Sequence, residues 1–304
     1  MWTEKNIPDQ SGRTAIVTGA NTGLGFEISR ALYQKGAHVI LACRNLESAT
    51  KAMAKIKECP GRGSLEIAHL DLSSLDAVRK FAESIIGSYQ VIDLLINNGG
   101  VMVPPASKTA DGFELQFGVN FLGHFALIQH LYPLMKNTLG SRVVSIGSGA
   151  YKMATLIDFD NLRSEKSYDP YREYAISKLA DLQFMLELQR RFKADGAVTL
   201  SLAAHPGVTQ TTLSRHMSAV DYQNALAQFK ELMPAWQGAL PALFAATDPN
   251  IIGGQYFGPD GKDELTGFPA IAELNSYAID EIEAAKLWTF AETALELSGT
   301  IRSV

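Results

Sequence analysis

The strongest constraint on the fold is an alternation between short apolar runs and longer segments with helical periodicity. Seven runs have the length and composition of strands: TAIVTG, HVILAC, SLEIAHLD, VIDLLINN, SRVVSIGS, VTLSLAAHPG and GQYFGPD. Apolar residues recur at helical spacing in residues 24–35, 46–58, 73–86, 112–136 and 173–194. Runs that are apolar almost throughout are typical of strands covered by helices on both faces. The pattern predicts an α/β fold, with a doubly wound parallel sheet of about seven strands and helices on both faces.

The chain is predicted to form a single domain over residues 1–304, since no repeat, low-complexity tract or interdomain linker divides it. A helical segment at 212–247 is inserted before the last strand, and we expect it to form a lid over the substrate. A C-terminal helix is expected at 277–298.

Composition argues against several classes of function. The 27 basic and 32 acidic side chains give a net charge of −5 without a basic run, so nucleic-acid binding is not expected. The two cysteines, Cys43 and Cys59, lack the spacing of a disulfide framework or a metal site, which favours a reducing compartment and no metal. No apolar stretch reaches the roughly 18 residues of a membrane span, and the N-terminus lacks the layout of a signal peptide. We expect a cytoplasmic protein.

Small and polar residues follow the predicted strands, at the sheet edge where ligands bind in folds of this type. The first strand is followed by TGANTGLG, in which Gly19, Gly23 and Gly25 open a helix. Glycines there let a phosphate approach backbone N–H groups at a helix N-terminus. The spacing G-x-x-x-G-x-G departs from the dinucleotide pattern G-x-G-x-x-G, and a turn that is glycine-rich for backbone reasons is the alternative. We predict a nucleotide loop in which the glycines are joined by Asn21, Thr22 and Leu24.

The end of the second strand bears on the choice of cofactor. Folds that bind NAD usually place Asp or Glu there, and its carboxylate binds the ribose hydroxyls. This chain has LACRN, with Arg44 and no acidic residue. Because a guanidinium pairs well with a 2′-phosphate, the motif favours NADP(H) over NAD(H). A solvated arginine without a ligand is the alternative.

Seven motifs between residues 12 and 211 resemble those of the short-chain dehydrogenase/reductase family, in the family's order. They are TGANTGLG, LDL, NNGG, VNFLGHF, SIGSGAY, YAISK and HPGVTQT. The segments ACRN, NFLGHF and IDFDNLRSEKSY look like the branch of the retinol dehydrogenases and the WW-domain oxidoreductases. The resemblance implies a Rossmann fold and an oxidoreductase with a nicotinamide cofactor.

The resemblance also implies cofactor contacts at matched positions. Asp71 with Leu72 would lie near the adenine, and Asn98 with Gly99 would line the adenosine ribose. The nicotinamide carboxamide and the phosphates would be held by Pro206, Gly207, Val208 and Thr211. Taken singly, LDL also fits a helix cap, NNGG a turn and HPG the end of a strand.

The segment YREYAISK, residues 171–178, carries the predicted chemistry. Tyr174 and Lys178 are four residues apart and share a helix face. Reduction of a carbonyl requires a proton at its oxygen, and a neighbouring ammonium makes a phenol more acidic. By resemblance, Ser148 would hydrogen-bond the carbonyl oxygen, and Asn120 would hold a water that links Lys178 to solvent. We predict that Tyr174 is the acid–base group, that these four residues are catalytic, and that Tyr174 and Lys178 also touch the cofactor.

Other tyrosines and histidines are predicted to be structural. Tyr171 has alanine four residues later, Tyr168 lies in the preceding turn, and the lysine next to Tyr151 cannot share its face. His124 and His205 match no catalytic position of the family.

The sequence thus predicts an NADP(H)-dependent oxidoreductase that interconverts an alcohol and a ketone or aldehyde, as a carbonyl reductase of hydrophobic small molecules. The lid would contribute apolar pocket residues, although apolar residues at helical spacing more often form a plain core: Leu213, Met217, Phe229, Met233 and Trp236. One alternative is a catalytically silent regulatory or scaffold protein that binds a nucleotide on the same fold. A methyltransferase is another, and the YxxxK motif argues against it.

Assembly is left open by the sequence. The resemblance implies a homodimer or homotetramer formed through the helices of Asn120 and Tyr174. The polar segment 156–170 is either a loop beside the active-site mouth or an ordinary surface excursion. If it covered the pairing surface, the chain would remain a monomer.

Overall fold

The computed structural model describes residues 1–229, 232–296 and 301 of the chain. Its centre is an eight-stranded sheet in the order β3-β2-β1-β4-β5-β6-β7-β8. The strands are β1 (Thr14–Thr18), β2 (His38–Cys43), β3 (Ser64–His69), β4 (Leu94–Asn97), β5 (Arg142–Ile146), β6 (Leu200–Ala204), β7 (Tyr256–Pro259) and β8 (Pro269–Ile271). The helices are α1 (Gly23–Gln34), α2 (Leu46–Lys57), α3 (Leu75–Ser88), α4 (Gly123–Met135), α5 (Pro170–Ala194), α6 (Ala219–Phe229), α7 (Ala235–Gly238), α8 (Leu240–Thr247) and α9 (Glu281–Ala294).

The strands β1 to β7 are parallel and separate two hydrophobic cores. In the central strand, Ile16 pairs with Ile40 on one side and with Leu95 on the other. Because strand side chains alternate between the two faces, Ile16 enters the core formed with α3, α4, α5 and α9. Its neighbour Val17 enters the core formed with α1, α2 and α8. The predicted doubly wound sheet with helices on both faces is confirmed.

All seven predicted strands are present and parallel, and an eighth strand is added at the edge of the sheet. The strand β8 pairs antiparallel with the edge strand β7, where Phe257 lies opposite Ile271. This strand has only three residues and begins with Pro269, so it is shorter than the runs of four to eight residues that mark a strand in sequence.

The helix predicted at 112–136 begins later than the periodicity indicates. Gly112 has a φ of 81°, and Lys108 and Glu114 form an isolated antiparallel bridge around it. The helical path starts at Leu115, passes through a π-helix at Phe117–Leu122 and continues into α4. The Glu114 carboxylate accepts the N–H groups of Gln116 at 2.9 Å and Phe117 at 2.7 Å and so starts the helix.

The segment 212–247 divides into two parts, which corrects the lid prediction. A short 3-10 helix, Thr212–His216, and α6 lie over the open end of the sheet. The helix α8 is instead part of the core, where Leu240 and Leu243 are fully buried. Residues 230 and 231 of the predicted lid lie outside the described residues.

The C-terminal helix α9 spans a shorter range than the predicted 277–298, of which residues 297 and 298 lie outside the described residues. Asp280 caps it by accepting the N–H groups of Ile282 and Glu283, both at 3.0 Å. Trp288 lies between α4 and α5, with its ring centroid 4.9 Å from that of Phe125 and 5.9 Å from that of Phe184. None of the helices in the described ranges is long and apolar enough to cross a membrane.

Candidate active site

A cavity of about 1370 Å³ opens at the carboxyl ends of the parallel strands. It lies where the strand order reverses between β1 and β4, the usual ligand position in doubly wound sheets. Every residue that the sequence predicted for the cofactor or the chemistry lines this cavity, except Gly25. The predicted residues therefore come from the ends of six strands, β1 to β6, and from helical segments that the fold brings to one place.

The glycine loop after β1 forms one end of the cavity. Gly19 has a φ of 64°, and a Cβ on it would lie 2.8 Å from the Gly99 Cα, so only glycine fits. Gly25 lies behind the loop, where a Cβ would overlap the Gly19 carbonyl oxygen, so its role is close packing of α1. Thr22 is the N-cap of α1, and within the described chain its side chain makes no hydrogen bond to the first turn. The N-terminus of α1 thus retains free N–H groups that fit a phosphate.

A buried hydrogen-bond network joins this loop to Asn120. The Thr18 hydroxyl accepts the N–H groups of Asn98 at 2.9 Å and Gly99 at 2.8 Å. His124 bridges the Thr18 Oγ1 at 2.9 Å and the Asn120 carbonyl oxygen at 2.8 Å. Because a carbonyl only accepts, Nδ1 of His124 carries the proton and Nε2 accepts from the Thr18 hydroxyl. Burial lowers the pKa of His124 to about 4, which keeps the ring neutral.

Sequence reasoning correctly treated His124 as structural but missed this link to Thr18. The spacing of Asn120 and His124, four residues apart at the junction of the π-helix and α4, was the available signal. The network means that the cofactor loop and Asn120 share one rigid support.

The far end of the cavity holds the predicted adenosine contacts. Arg44 follows β2 with its side chain exposed at the cavity edge. Asp71 lines the cavity too, but its Oδ1 also accepts from the Ser73 N–H at 2.9 Å and hydroxyl at 2.6 Å. The cap of α3 is Ser74, not Asp71. The sequence did not predict a contact of Asn21 with α2. The Asn21 amide donates to the Ser48 hydroxyl at 3.0 Å and so connects the glycine loop to α2.

The four predicted catalytic residues all line the cavity. Tyr174 and Lys178 lie on α5, and the Lys178 Nζ is 6.0 Å from the centroid of the Tyr174 ring. Ser148 follows β5, is half-buried, and its hydroxyl accepts the Ala150 N–H at 3.2 Å. The Asn120 amide donates to the Ser177 hydroxyl and the Val101 carbonyl, both at 3.0 Å. We call the part of the cavity lining formed by Ser148, Tyr174 and Lys178 the catalytic wall, because our hypothesis assigns the proton transfer to these side chains.

Two tyrosines that were predicted to be structural lie close to the site. Tyr171 lines the cavity, and burial together with the carboxylate of Asp221 on α6, the lid helix, raises the pKa of its hydroxyl. The Tyr168 hydroxyl donates to the Pro104 carbonyl at 2.6 Å, and Pro104 lines the cavity. Sequence spacing could not indicate either contact, because both partners are far away along the chain.

Tyr151 and His205 are more deeply buried, and of the two only His205 lines the cavity. Tyr151 is buried, and its hydroxyl donates to the Glu273 carbonyl at 3.1 Å. His205 is buried with its Nε2 3.3 Å from a Glu264 carboxylate oxygen, and burial lowers its pKa to about 4.

The substrate side of the cavity is largely apolar. Leu213, Met217 and Phe229 line it as predicted. Met233 is instead buried, with its sulfur accepting the Gly267 N–H at 3.3 Å, and Trp236 is exposed away from the lining. No residue of 156–170, a segment that the structure describes in full, lines the cavity. That segment packs against α9, where its Phe159 ring lies 5.6 Å from the ring of Phe290.

Comparison with known proteins decides the family. Residues 13–221 match the family model described as short chain dehydrogenase, which is more than half of the chain. The chain belongs to the short-chain dehydrogenases. It is therefore an oxidoreductase, and its wall of Ser148, Tyr174 and Lys178 lies within the matched range.

Within this family the chain belongs to the retinol-dehydrogenase-like branch. It is 38% identical to retinol dehydrogenase 14 of Homo sapiens, over 94% of this chain and 87% of the relative. It is 44% identical to retinol dehydrogenase 13 of Homo sapiens, over 67% of this chain and 61% of the relative.

Solved structures share the fold. A protein from Mycobacterium paratuberculosis aligns with a TM-score of 0.80 and 34% identity over 98% of both chains. The Pseudomonas aeruginosa RhlG/NADP active-site complex aligns with a TM-score of 0.65 and 24% identity, over 81% of this chain and 94% of the other. At that identity the second likeness shows the fold alone.

Proposed function

We propose that this short-chain dehydrogenase uses NADP(H) to interconvert an alcohol and a ketone or aldehyde, as a carbonyl reductase of hydrophobic substrates with Tyr174 as its acid–base group. The observation that carries the proposal is the wall on which Ser148, Tyr174 and Lys178 meet, between a glycine loop and an apolar lid. When bound, the nicotinamide donates or accepts the hydride.

In this proposal the chain's own side chains manage the proton. Tyr174 is buried at the cavity and gives its hydroxyl proton to the developing alkoxide oxygen. The Ser148 hydroxyl orients and stabilises that oxygen by a hydrogen bond. The Lys178 ammonium stabilises the phenolate that is left on Tyr174, since a nearby positive charge favours the anionic form. The hydrogen bonds of Asn120 to His124 and Ser177 hold Asn120 in a fixed position relative to α5, which carries Tyr174 and Lys178.

Preference for NADP(H) is proposed from the cofactor end of the cavity. Arg44 is the cationic side chain at the end of β2, and an acidic residue is missing from the segment between Cys43 and Leu46. A 2′-phosphate would pair with the guanidinium, whereas a ribose hydroxyl would gain little from it.

A hydrophobic alcohol or aldehyde is the proposed substrate. The lid side chains Leu213, Met217 and Phe229 face the cavity together with Leu226 and Met153. Burial of apolar substrate surface against them would supply most of the binding energy. The names of the relatives, the retinol dehydrogenases, suggest molecules of retinoid-like size and apolarity.

The test is to follow oxidation of NADPH by its absorbance, with a panel of hydrophobic aldehydes and ketones. We expect turnover with at least one bulky apolar carbonyl and little turnover with short polar ones. A protein that binds NADPH but turns over no carbonyl or alcohol would contradict the proposal and favour the silent nucleotide-binding alternative.

A further inference from the structure

A buried acid lies directly behind the predicted catalytic lysine. Asp181 follows Lys178 by three residues on α5, and its Oδ2 accepts from the Lys178 Nζ at 2.9 Å. The two side chains are only 7% and 9% exposed, so the pair is almost fully withdrawn from water. No role has been assigned to Asp181 in the proposed reaction so far.

The geometry fixes the position of the ammonium. An ammonium has three N–H donors. One is directed to Asp181 and one to the Ile146 carbonyl at 2.8 Å, at the end of β5 and two residues before Ser148. Since Lys178 also lines the cavity, the third donor is available on the cavity side. The hydrogen bonds to Asp181 and to the end of β5 thus orient the Lys178 ammonium toward the part of the cavity that Tyr174 lines.

Electrostatics gives Asp181 a second effect. Burial by itself lowers the pKa of Lys178, but the charge of Asp181 and then that of Tyr174 outweigh burial and raise it. Burial raises the pKa of Asp181 to about 6. The other titratable groups near the pair are His124 from α4, which responds to the Lys178 charge, and Tyr256 from β7, which responds to Asp181 and Tyr174.

A purely structural reason for the pair is weak. A buried ion pair seldom stabilises a fold more than apolar side chains of similar volume would, because both charges lose their hydration. The pair is better explained by the charge that the site requires on Lys178.

We propose that Asp181 is a positioning residue, which keeps the buried Lys178 ammonium charged and directed at the Tyr174 side of the cavity. The proposal rests on the function proposed above, since Lys178 matters only if Tyr174 transfers a proton. Asp181 does not touch the reacting atoms and acts through Lys178.

The test compares Asp181→Asn with the wild type. The amide keeps an oxygen that accepts from Nζ but removes the negative charge. Asp76→Asn is the control, because it makes the same change on the exposed face of α3, away from the cavity. The first readout is the titration midpoint of the Lys178 Nζ, followed by NMR of isotopically labelled lysine in the protein without cofactor. We expect it to fall in Asp181→Asn, because the adjacent negative charge favours the protonated lysine and the amide removes that charge.

The second readout is the pH profile of carbonyl reduction. The alkaline limb for Asp181→Asn should move to lower pH together with the lysine midpoint, so that activity lost on the alkaline side is recovered when the pH is lowered. An unchanged lysine midpoint and a parallel pH profile would overturn the proposal. If Asp181→Asn does not fold, the wild type decides: the Lys178 midpoint should lie above the ordinary value for lysine, and a midpoint at or below that value would overturn the proposal.

Failure of the proposed function gives a different result. If the wild type turns over no substrate but the Lys178 midpoint still shifts in Asp181→Asn, the proposed reaction is refuted and the electrostatic coupling between Asp181 and Lys178 stands. An active wild type with an unshifted midpoint would refute the role of Asp181 alone.

Discussion

The substitution Arg44→Ala tests the choice of cofactor at the end of β2. A charge-assisted hydrogen bond contributes about 1.5–3 kcal/mol. Because the Arg44 side chain is exposed at the cavity edge, solvent screens it and the lower value applies. A loss of about 1.5 kcal/mol corresponds to about tenfold weaker NADPH binding. NADH lacks the 2′-phosphate, so its affinity should stay within about twofold of the wild type.

The assay is a fluorescence or calorimetric titration of each reduced cofactor at low and at high salt. The loss for NADPH should shrink at high salt, since screening already weakens the pair in the wild type. The control is Arg79→Ala, an exposed arginine of α3 paired with Asp76 and Glu83 outside the cavity. Equal losses for NADPH and NADH would show that Arg44 does not read the phosphate.

Two further predictions concern stability and assembly. Burial raises the pKa of Glu114 to about 7, so the folded state holds a proton that the unfolded carboxyl releases near pH 4.5. The contribution of Glu114 to the free energy of unfolding should therefore fall as the pH rises from about 4.5 to 7. Chemical denaturation over this range should show that the free energy of unfolding depends less on pH in Glu114→Gln than in the wild type. Equal pH dependence in the two proteins would contradict the raised pKa of Glu114. The chain should be a monomer by light scattering, because α9 packs on α5 within the same chain and occupies the outer surface of the helix of Tyr174. A dimer that survives dilution and is formed through α4 and α5 would refute this.

Much of the fold could be predicted because parallel strands that are buried on both faces consist of apolar residues almost throughout, and such runs are easily identified in the sequence. The site was predictable for the same topological reason, since parallel strands end at one edge and bring distant motifs together. The residues after β1, β2, β4, β5 and β6 could therefore be assigned to one cavity before any contact was known.

The errors arose where tertiary contacts override local pattern. The helix at 112–136 was extended too far because Gly112 and the bridge to Glu114 break a periodicity that still looks helical. The predicted lid at 212–247 wrongly includes α8. This helix has apolar residues on every side, and such a sequence fits a core helix as well as a lid.

Asp181 was missed for a related reason. Residues 173–185 of α5 are all buried, so an acidic residue in this part of the helix has no solvent face to occupy. The signal in the sequence was its position three residues after Lys178, which places it on the same side of the helix. Polar residues one turn beyond a predicted catalytic residue therefore deserve the same scrutiny as the motif itself.

The most direct test of the central claim is Tyr174→Phe, measured for both turnover and NADPH affinity. Phenylalanine keeps the ring and its packing but removes the group that protonates the alkoxide. Loss of a general acid costs about 10²- to 10⁴-fold in rate, so we expect turnover to fall by at least that range while the NADPH dissociation constant changes less than about threefold. Tyr33→Phe, on α1 and outside the cavity, is the matched control and should retain full turnover. If Tyr174→Phe keeps a substantial fraction of wild-type turnover, Tyr174 is not the acid–base group and the account of this site is wrong.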